Sequence, residues 1–155
     1  MIKILFICHG NICRSPLAEF VMKEYIRQAG REKEFLINSM AVSPEELGNP
    51  IYPPVRRLLR ENGIPFSEHY ATVMTRRDYD RYDHIIAMDR SNLKWISRII
   101  GTDPEGKVSL LLHWAGHEDS VADPYYSGDF GATWEDVTEG CKALLEALTK
   151  QPLYP

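Results

Sequence analysis

The chain has 155 residues, 18 Lys and Arg against 22 Asp and Glu for a formal net charge of −4, and a 44% hydrophobic composition. That is the length of one domain with a full core, and it excludes a disordered chain. The acidic balance argues against general binding to nucleic acid or an anionic membrane, both of which need a basic surface, so any anion site must be local.

Residues 2–8, short, apolar and rich in branched side chains, predict a buried strand. After a glycine-containing loop, residues 16–28 predict a helix with Ser15 as its cap, Pro16 as its first residue and Gly30 beyond its end. Residues 35–39 read as a second strand, the stretch to Pro54 as a loop, and residues 55–62 as a helix closed by Gly63. A third strand is expected at 84–88 and a helix at 91–100, capped by Ser91 or Asp89. Residues 108–112 give a fourth strand, a long loop follows to about Thr133, and 135–149 form a closing amphipathic helix. Strands alternating with helices predict an α/β, three-layer doubly wound fold, with a four-stranded parallel sheet and helices on both faces, in a single domain over 1–155.

No apolar run approaches the roughly 18 residues of a membrane span, and the chain opens directly into its first strand. Three cysteines, Cys8, Cys13 and Cys141, are too few for a disulfide framework. The expectation is a cytoplasmic protein.

Ligands of open parallel sheets sit beyond the carboxyl ends of the strands. The segment there is Cys8-His9-Gly10-Asn11-Ile12-Cys13-Arg14-Ser15-Pro16. Backbone N–H groups of a tight loop entering a helix converge, and the helix dipole adds positive charge, which makes a nest for a tetrahedral oxyanion. Arg14 can grip two of its oxygens, and the same field favours a thiolate at Cys8, to which Ser15 can donate. Gly10 permits the tight turn, and Asn11 tolerates left-handed backbone. A thiolate beneath a bound phosphate is poised for in-line attack on phosphorus. Read singly, Cys8 is a buried residue ending a strand and Arg14 a surface charge; strand, loop and helix start together point to chemistry.

Those nine residues resemble the signature loop of the low-molecular-weight protein tyrosine phosphatases, C-x-G-N-x-C-R-S-P. Ser39, the run Met88-Asp89 with Ser91-Asn92-Leu93, and Asp123-Pro124-Tyr125-Tyr126 extend the likeness along nearly the whole chain. The resemblance implies that Cys8 is the nucleophile forming a phosphocysteine, that Arg14 binds phosphate, and that Asp123 is the general acid and then base. It implies a phosphate-binding loop of His9, Gly10, Asn11, Ile12, Cys13 and Ser15, with Asn11 held by Ser39 and His69. It implies phosphotyrosine proteins, a tyrosine kinase among them, as partners, inorganic phosphate as product, and no cofactor. It also implies that Cys13 can form a disulfide with Cys8 under peroxide.

Tyr125 and Tyr126 suit the flanks of a phenyl ring. The chain departs from the family at Glu45, which stands where relatives carry a rim aromatic, at Thr72 in place of an arginine, and at Met40 in place of a small residue. His113 and His117 lie four apart, but they lack a third convincing ligand, so no metal site is assigned. Three alternatives remain. Protein-arginine phosphatase is disfavoured by Ile12; arsenate reductase needs two further cysteines as a relay, and this chain has none between Cys13 and Cys141; and a non-catalytic anion-binding module would not keep Cys8, Arg14 and Asp123 together.

Overall fold

The computed structural model describes residues 1–150; the last five residues of the expected domain, 151–155, lie outside the described residues. Strand β1 (Ile2–Cys8) runs into helix α1 (Arg14–Gln28), then come β2 (Phe35–Ala41), α2 (Pro53–Glu61), α3 (Asp78–Arg81), β3 (His84–Ala87), α4 (Arg90–Ile100), β4 (Val108–Leu110), α5 (Pro124–Ser127) and α6 (Phe130–Lys150). The four strands form one parallel sheet in the order β2-β1-β3-β4, with β1 in the middle.

The alternation of β1 sends its side chains into two separate cores. Ile4, Phe6 and Cys8 face a cluster built with Leu17 and Val21 of α1 and Val137 and Leu144 of α6. Leu5 and Ile7 face the opposite cluster with Tyr79, Ile96 and Ile100. Helices therefore cover both faces, and the expected three-layer α/β architecture holds.

The structure departs from the sequence expectation at several element ends. Helix α1 begins at Arg14, and Cys13 occupies its cap position with no side-chain cap bond, so Ser15 is not the cap. The hydroxyl of Ser15 is engaged in the neighbouring loop instead. Strand β2 runs on to Ala41 because β1 offers it a partner as far as Cys8. Strand β4 stops at Leu110, and residues Leu111–Ala115 form a 3-10 turn. Leu111 and Leu112 both enter the same core, which two consecutive strand residues cannot do. Helix α2 starts two residues earlier than expected, on the proline pair Pro53-Pro54. Helix α3 and the one-turn helix α5 lie inside stretches that read as loop, each too short to show a helical period. Helix α6 begins at Phe130 rather than 135.

Among the described residues no helix is long and apolar enough to cross a membrane. His84 sits in β3 with its ring edge-on to Trp114 at 5.5 Å, a packing position where burial lowers its pKa.

Candidate active site

The loop between β1 and α1 floors a cleft of about 340 Å³, lined also by Asp89, Asp123 and Tyr125. Its outer side is pinned through carbonyls: Cys8 O accepts from Val42 N–H at 3.3 Å, His9 O from Ser43 N–H at 3.1 Å, and Ile12 O from Tyr52 N–H at 2.8 Å. The N–H groups of the first turn of α1 have no partner within the helix, whose first bond runs from Leu17 N–H to Cys13 O at 3.2 Å. Uncommitted donors and a helix start thus meet at Cys8, which is itself only 3% exposed.

The hydrogen bonds around Asn11 have a readable direction. Asn11 has φ 61°, the sole non-glycine residue in the left-handed region among the described residues, and is fully buried. Thr72 N–H can only donate, and it donates to Asn11 Oδ1 at 3.2 Å. That fixes the amide orientation, so Asn11 Nδ2 donates to Ser15 Oγ at 2.8 Å and to Ser39 Oγ at 3.0 Å. Ser39 in turn donates to Glu19 Oε1 at 2.6 Å. Ser15 Oγ, which accepts from Asn11 Nδ2, lies 2.9 Å from Cys8 Sγ and keeps a proton that it can donate to the sulfur. His69 Nε2 lies 3.1 Å from Asn11 Oδ1 and 3.2 Å from Asn11 O, two acceptors, so this nitrogen carries the proton.

Arg14 is the other fixed point. Its guanidinium, 3% exposed, donates from Nη1 to Val121 O at 3.0 Å and from Nη2 to Asp89 Oδ2 at 2.8 Å, while Asp123 Oδ2 lies 3.4 Å from Nη2. Burial opposes the charge, but Cys8, Asp123 and Asp89 outweigh it and push the guanidinium pKa up. Burial raises the Cys13 thiol, with Cys8 and Asp123 adding to the effect against Arg14. Cys13 therefore stays protonated.

Asp123 caps α5 by accepting from Tyr125 N–H at 3.1 Å. Its segment is clamped from both sides: Val121 N–H donates to Met88 O at 2.8 Å, Ala122 N–H to Asp136 Oδ2 at 3.0 Å, and Thr133 Oγ1 to Ala122 O at 2.8 Å. Tyr125 and Tyr126 stand exposed at the mouth, 61% and 86%, with their rings edge to face at 5.5 Å. Tyr52 backs Tyr125 at 6.0 Å and stacks on Phe130 at 6.3 Å. On the opposite rim Glu45 Oε2 lies 3.1 Å from His9 Nε2, and the His9 ring meets Trp95 edge-on.

The residues singled out in the sequence therefore converge: Cys8, Arg14 and Asp123 share one cleft, Tyr125, Tyr126 and Glu45 rim it, and Ser39 and His69 hold Asn11 from behind. Thr72 contributes its backbone in place of an arginine side chain. His117 pairs with Glu139 at 2.9 Å, and no group of three His, Cys, Asp or Glu able to hold a metal occurs among the described residues. Sequence reasoning missed three contributors. Asp89 reads as a helix cap and is one, accepting from Asn92 N–H through Oδ1, but its other oxygen anchors Arg14. Glu19 lies buried under Ser39, and its signal was a carboxylate set among apolar residues of α1. Tyr52 gave no signal of its own.

Residues 3–153 match the family model described as low molecular weight phosphotyrosine protein phosphatase. The low molecular weight protein-tyrosine-phosphatase YfkJ of Bacillus subtilis is 33% identical over 97% of this chain and 98% of its own length, and its crystal structure superposes with a TM-score of 0.93. A low molecular weight protein tyrosine phosphatase of Streptococcus pyogenes is 34% identical, covering 99% of this chain and 97% of that one, with a TM-score of 0.88. A structure described as a drosophila arginine phosphatase is 26% identical, covering 96% and 98%, with a TM-score of 0.85. A parallel sheet that delivers a cysteine, an arginine and an aspartate to one anion-sized cleft accords with these likenesses: the chain is a phosphatase and belongs to the low molecular weight phosphotyrosine protein phosphatase family.

Proposed function

We propose that the chain hydrolyses phosphotyrosine in proteins through a phosphocysteine on Cys8. The observation that carries this is the hydrogen-bond chain that runs from Asn11 through Ser15 to Cys8 Sγ, in a cleft that also holds Arg14 and Asp123. The phosphate takes the place in front of the loop N–H groups and Arg14, with phosphorus above the sulfur. The Cys8 thiolate attacks, the bond from phosphorus to the tyrosyl oxygen breaks, and protonated Asp123 gives its proton to that oxygen. Asp123, now a carboxylate, takes a proton from water as the water's oxygen attacks phosphorus. The sulfur–phosphorus bond breaks, inorganic phosphate leaves, and the Ser15 hydroxyl stabilises the returning thiolate. Arg14 and the loop donors match the trigonal array of oxygens in both transition states. No step calls for a metal or a cofactor.

Tyr125 and Tyr126 supply flat apolar walls for the phenyl ring, and Ile12 lines the cleft with an apolar group that suits an aromatic ester better than a phosphorylated guanidinium. Arsenate reduction needs a cysteine to carry a disulfide outward, and Cys141 is wholly buried. The partners on this reading are phosphotyrosine proteins, a tyrosine kinase among them. Three free thiols suit a reducing cytoplasm.

The test is rapid acid quenching during turnover of a phosphotyrosine peptide, followed by mapping of the phosphorus. Phosphate on Cys8, absent in Cys8→Ser, is expected; phosphate on any other residue overturns the reading. Asp123→Ala should slow hydrolysis by roughly 10²–10⁴. The loss should be larger for a phenyl ester than for p-nitrophenyl phosphate, whose leaving group needs no proton.

A further inference from the structure

A groove of about 300 Å³ lies between α2 and residues 66–70, outside the catalytic cleft. Arg56 and Arg60, one helical turn apart, both line it. Neither guanidinium has a hydrogen bond or ion pair among the described residues. Arg60 is instead held over the Phe66 ring, 5.4 Å from its centroid, which orients the fork without occupying its donors. Tyr70, 53% exposed, stands at the edge, and Glu68 is the one carboxylate lining the groove. The base is firm: Pro50 and Tyr70 form an antiparallel bridge, and Ala71 N–H donates to Asn49 O at 2.9 Å. This is a cationic, aromatic patch on a chain whose net charge is −4.

The groove also touches the catalytic cleft along two routes. Ile51 in its wall precedes Tyr52, whose N–H holds the phosphate loop at Ile12 O and whose ring backs Tyr125. His69 in its wall bonds Asn11. Tyr52, which backs Tyr125 at the mouth of the cleft, immediately precedes α2, the helix that carries Arg56 and Arg60. Planar guanidinium forks with free donors suit carboxylates, and the exposed phenol and phenyl ring cover the aliphatic stems of Glu or Asp side chains. We propose that this groove binds an acidic segment of the phosphoprotein substrate, at a distance along the chain from the phosphotyrosine in the cleft. The proposal rests on the phosphatase reading and deepens it: substrates are selected by a flanking negative charge that the cleft itself does not touch.

The test compares matched phosphotyrosine peptides, neutral or carrying a run of glutamates joined through flexible spacers on either side. For one spacer placement the wild-type enzyme should show a KM about threefold to tenfold lower for the acidic peptide, with kcat unchanged, and the advantage should fade as salt rises. In the double variant Arg56→Gln, Arg60→Gln the advantage should vanish, while neutral peptide and p-nitrophenyl phosphate turn over as before. Arg76→Gln, an exposed arginine next to α3, should keep it. Equal KM values in wild type for every placement, persistence of the advantage in the double variant, or equal loss in Arg76→Gln would each overturn the proposal. Inertness toward the neutral phosphotyrosine peptide would sink the phosphatase reading instead. The groove is then judged by titration with the unphosphorylated acidic peptide, which should shift backbone amide signals of residues 56–70 in wild type and not in the double variant; no shift in wild type refutes it.

Discussion

Asn11 holds a backbone conformation that costs any non-glycine residue about 1 kcal/mol or more, and its amide offsets this with four hydrogen bonds to Ser15, Ser39, Thr72 and His69. Asn11→Ala keeps the strained φ and loses every bond, so it should lower stability by about 2–4 kcal/mol in denaturant titration. Asn11→Gly removes the strain alone; it should regain part of that stability and almost none of the lost turnover, because Ser15 is no longer oriented. Full turnover in Asn11→Gly would show that the loop holds itself. Cys13 poses a different question. If Cys8 is the reactive thiolate proposed above, peroxide should convert it to a sulfenic acid with which the Cys13 thiol condenses, releasing water and closing a disulfide. Thiol treatment should therefore restore activity after peroxide in wild type and fail in Cys13→Ser; recovery in the variant would assign protection to another group. The loop was legible as a sequence because its residue types are few and adjacent. Asp89 was half legible, since a capping aspartate shows in the sequence whereas the use of its second oxygen depends on a residue 75 positions away.

At the level of elements, the sheet was legible and the punctuation was not. Buried strands announce themselves by composition, but where β4 yields to a 3-10 turn is decided by the core that receives both Leu111 and Leu112. Helix α5 was invisible because four residues carry no period, and it is set by Asp123 at its cap and Pro124 behind it. Helix α6 proves to be more than the last layer, since Thr133 and Asp136 hold the segment bearing Asp123. Its position depends on Gly140, where an added Cβ would lie 2.5 Å from Leu111 Cγ. Gly140→Ala should cost about 1–3 kcal/mol as the helix is forced outward. If Asp123 is the general acid, the same displacement should reduce kcat more than it raises KM, because Thr133 and Asp136 carry its segment with them. A variant of normal stability and unchanged kcat would separate α6 from the site.

Across the whole molecule, acidity should work against the fold. Arg27 and then Gln28 hold the Glu24 carboxylate at about 2, against an ordinary 4.5. Burial opposes the charge of Asp103, but hydrogen bonds from Tyr79, Lys107 and Val108 bring its pKa down. Burial lowers His84 from 6.5. All three bind fewer protons folded than unfolded, so their contributions are complete above the unfolded values and are lost as pH falls through the folded ones. His117, raised chiefly by its bond to Glu139, has the opposite sign: its contribution is complete below 6.5 and lost as pH rises, and on the surface it is screened. The melting temperature should fall from pH 7 to pH 3, and Glu24→Gln should flatten the part below pH 4.5. A melting temperature that holds steady on acidification would remove these groups from the balance.

Arg14 is gripped by Asp89, Val121 and Asp123, all far downstream of Cys8. The middle strand, made first, waits for β3 to supply its second neighbour. During synthesis the thiol leaves the ribosome long before these partners, so a nascent chain that stops short of Asp123 carries a cysteine and an arginine whose brace is incomplete. If Cys8 is the nucleophile, catalysis is consequently a property acquired near the end of translation, and a prematurely terminated product ending before α5 is dead as an enzyme even though its signature loop is intact.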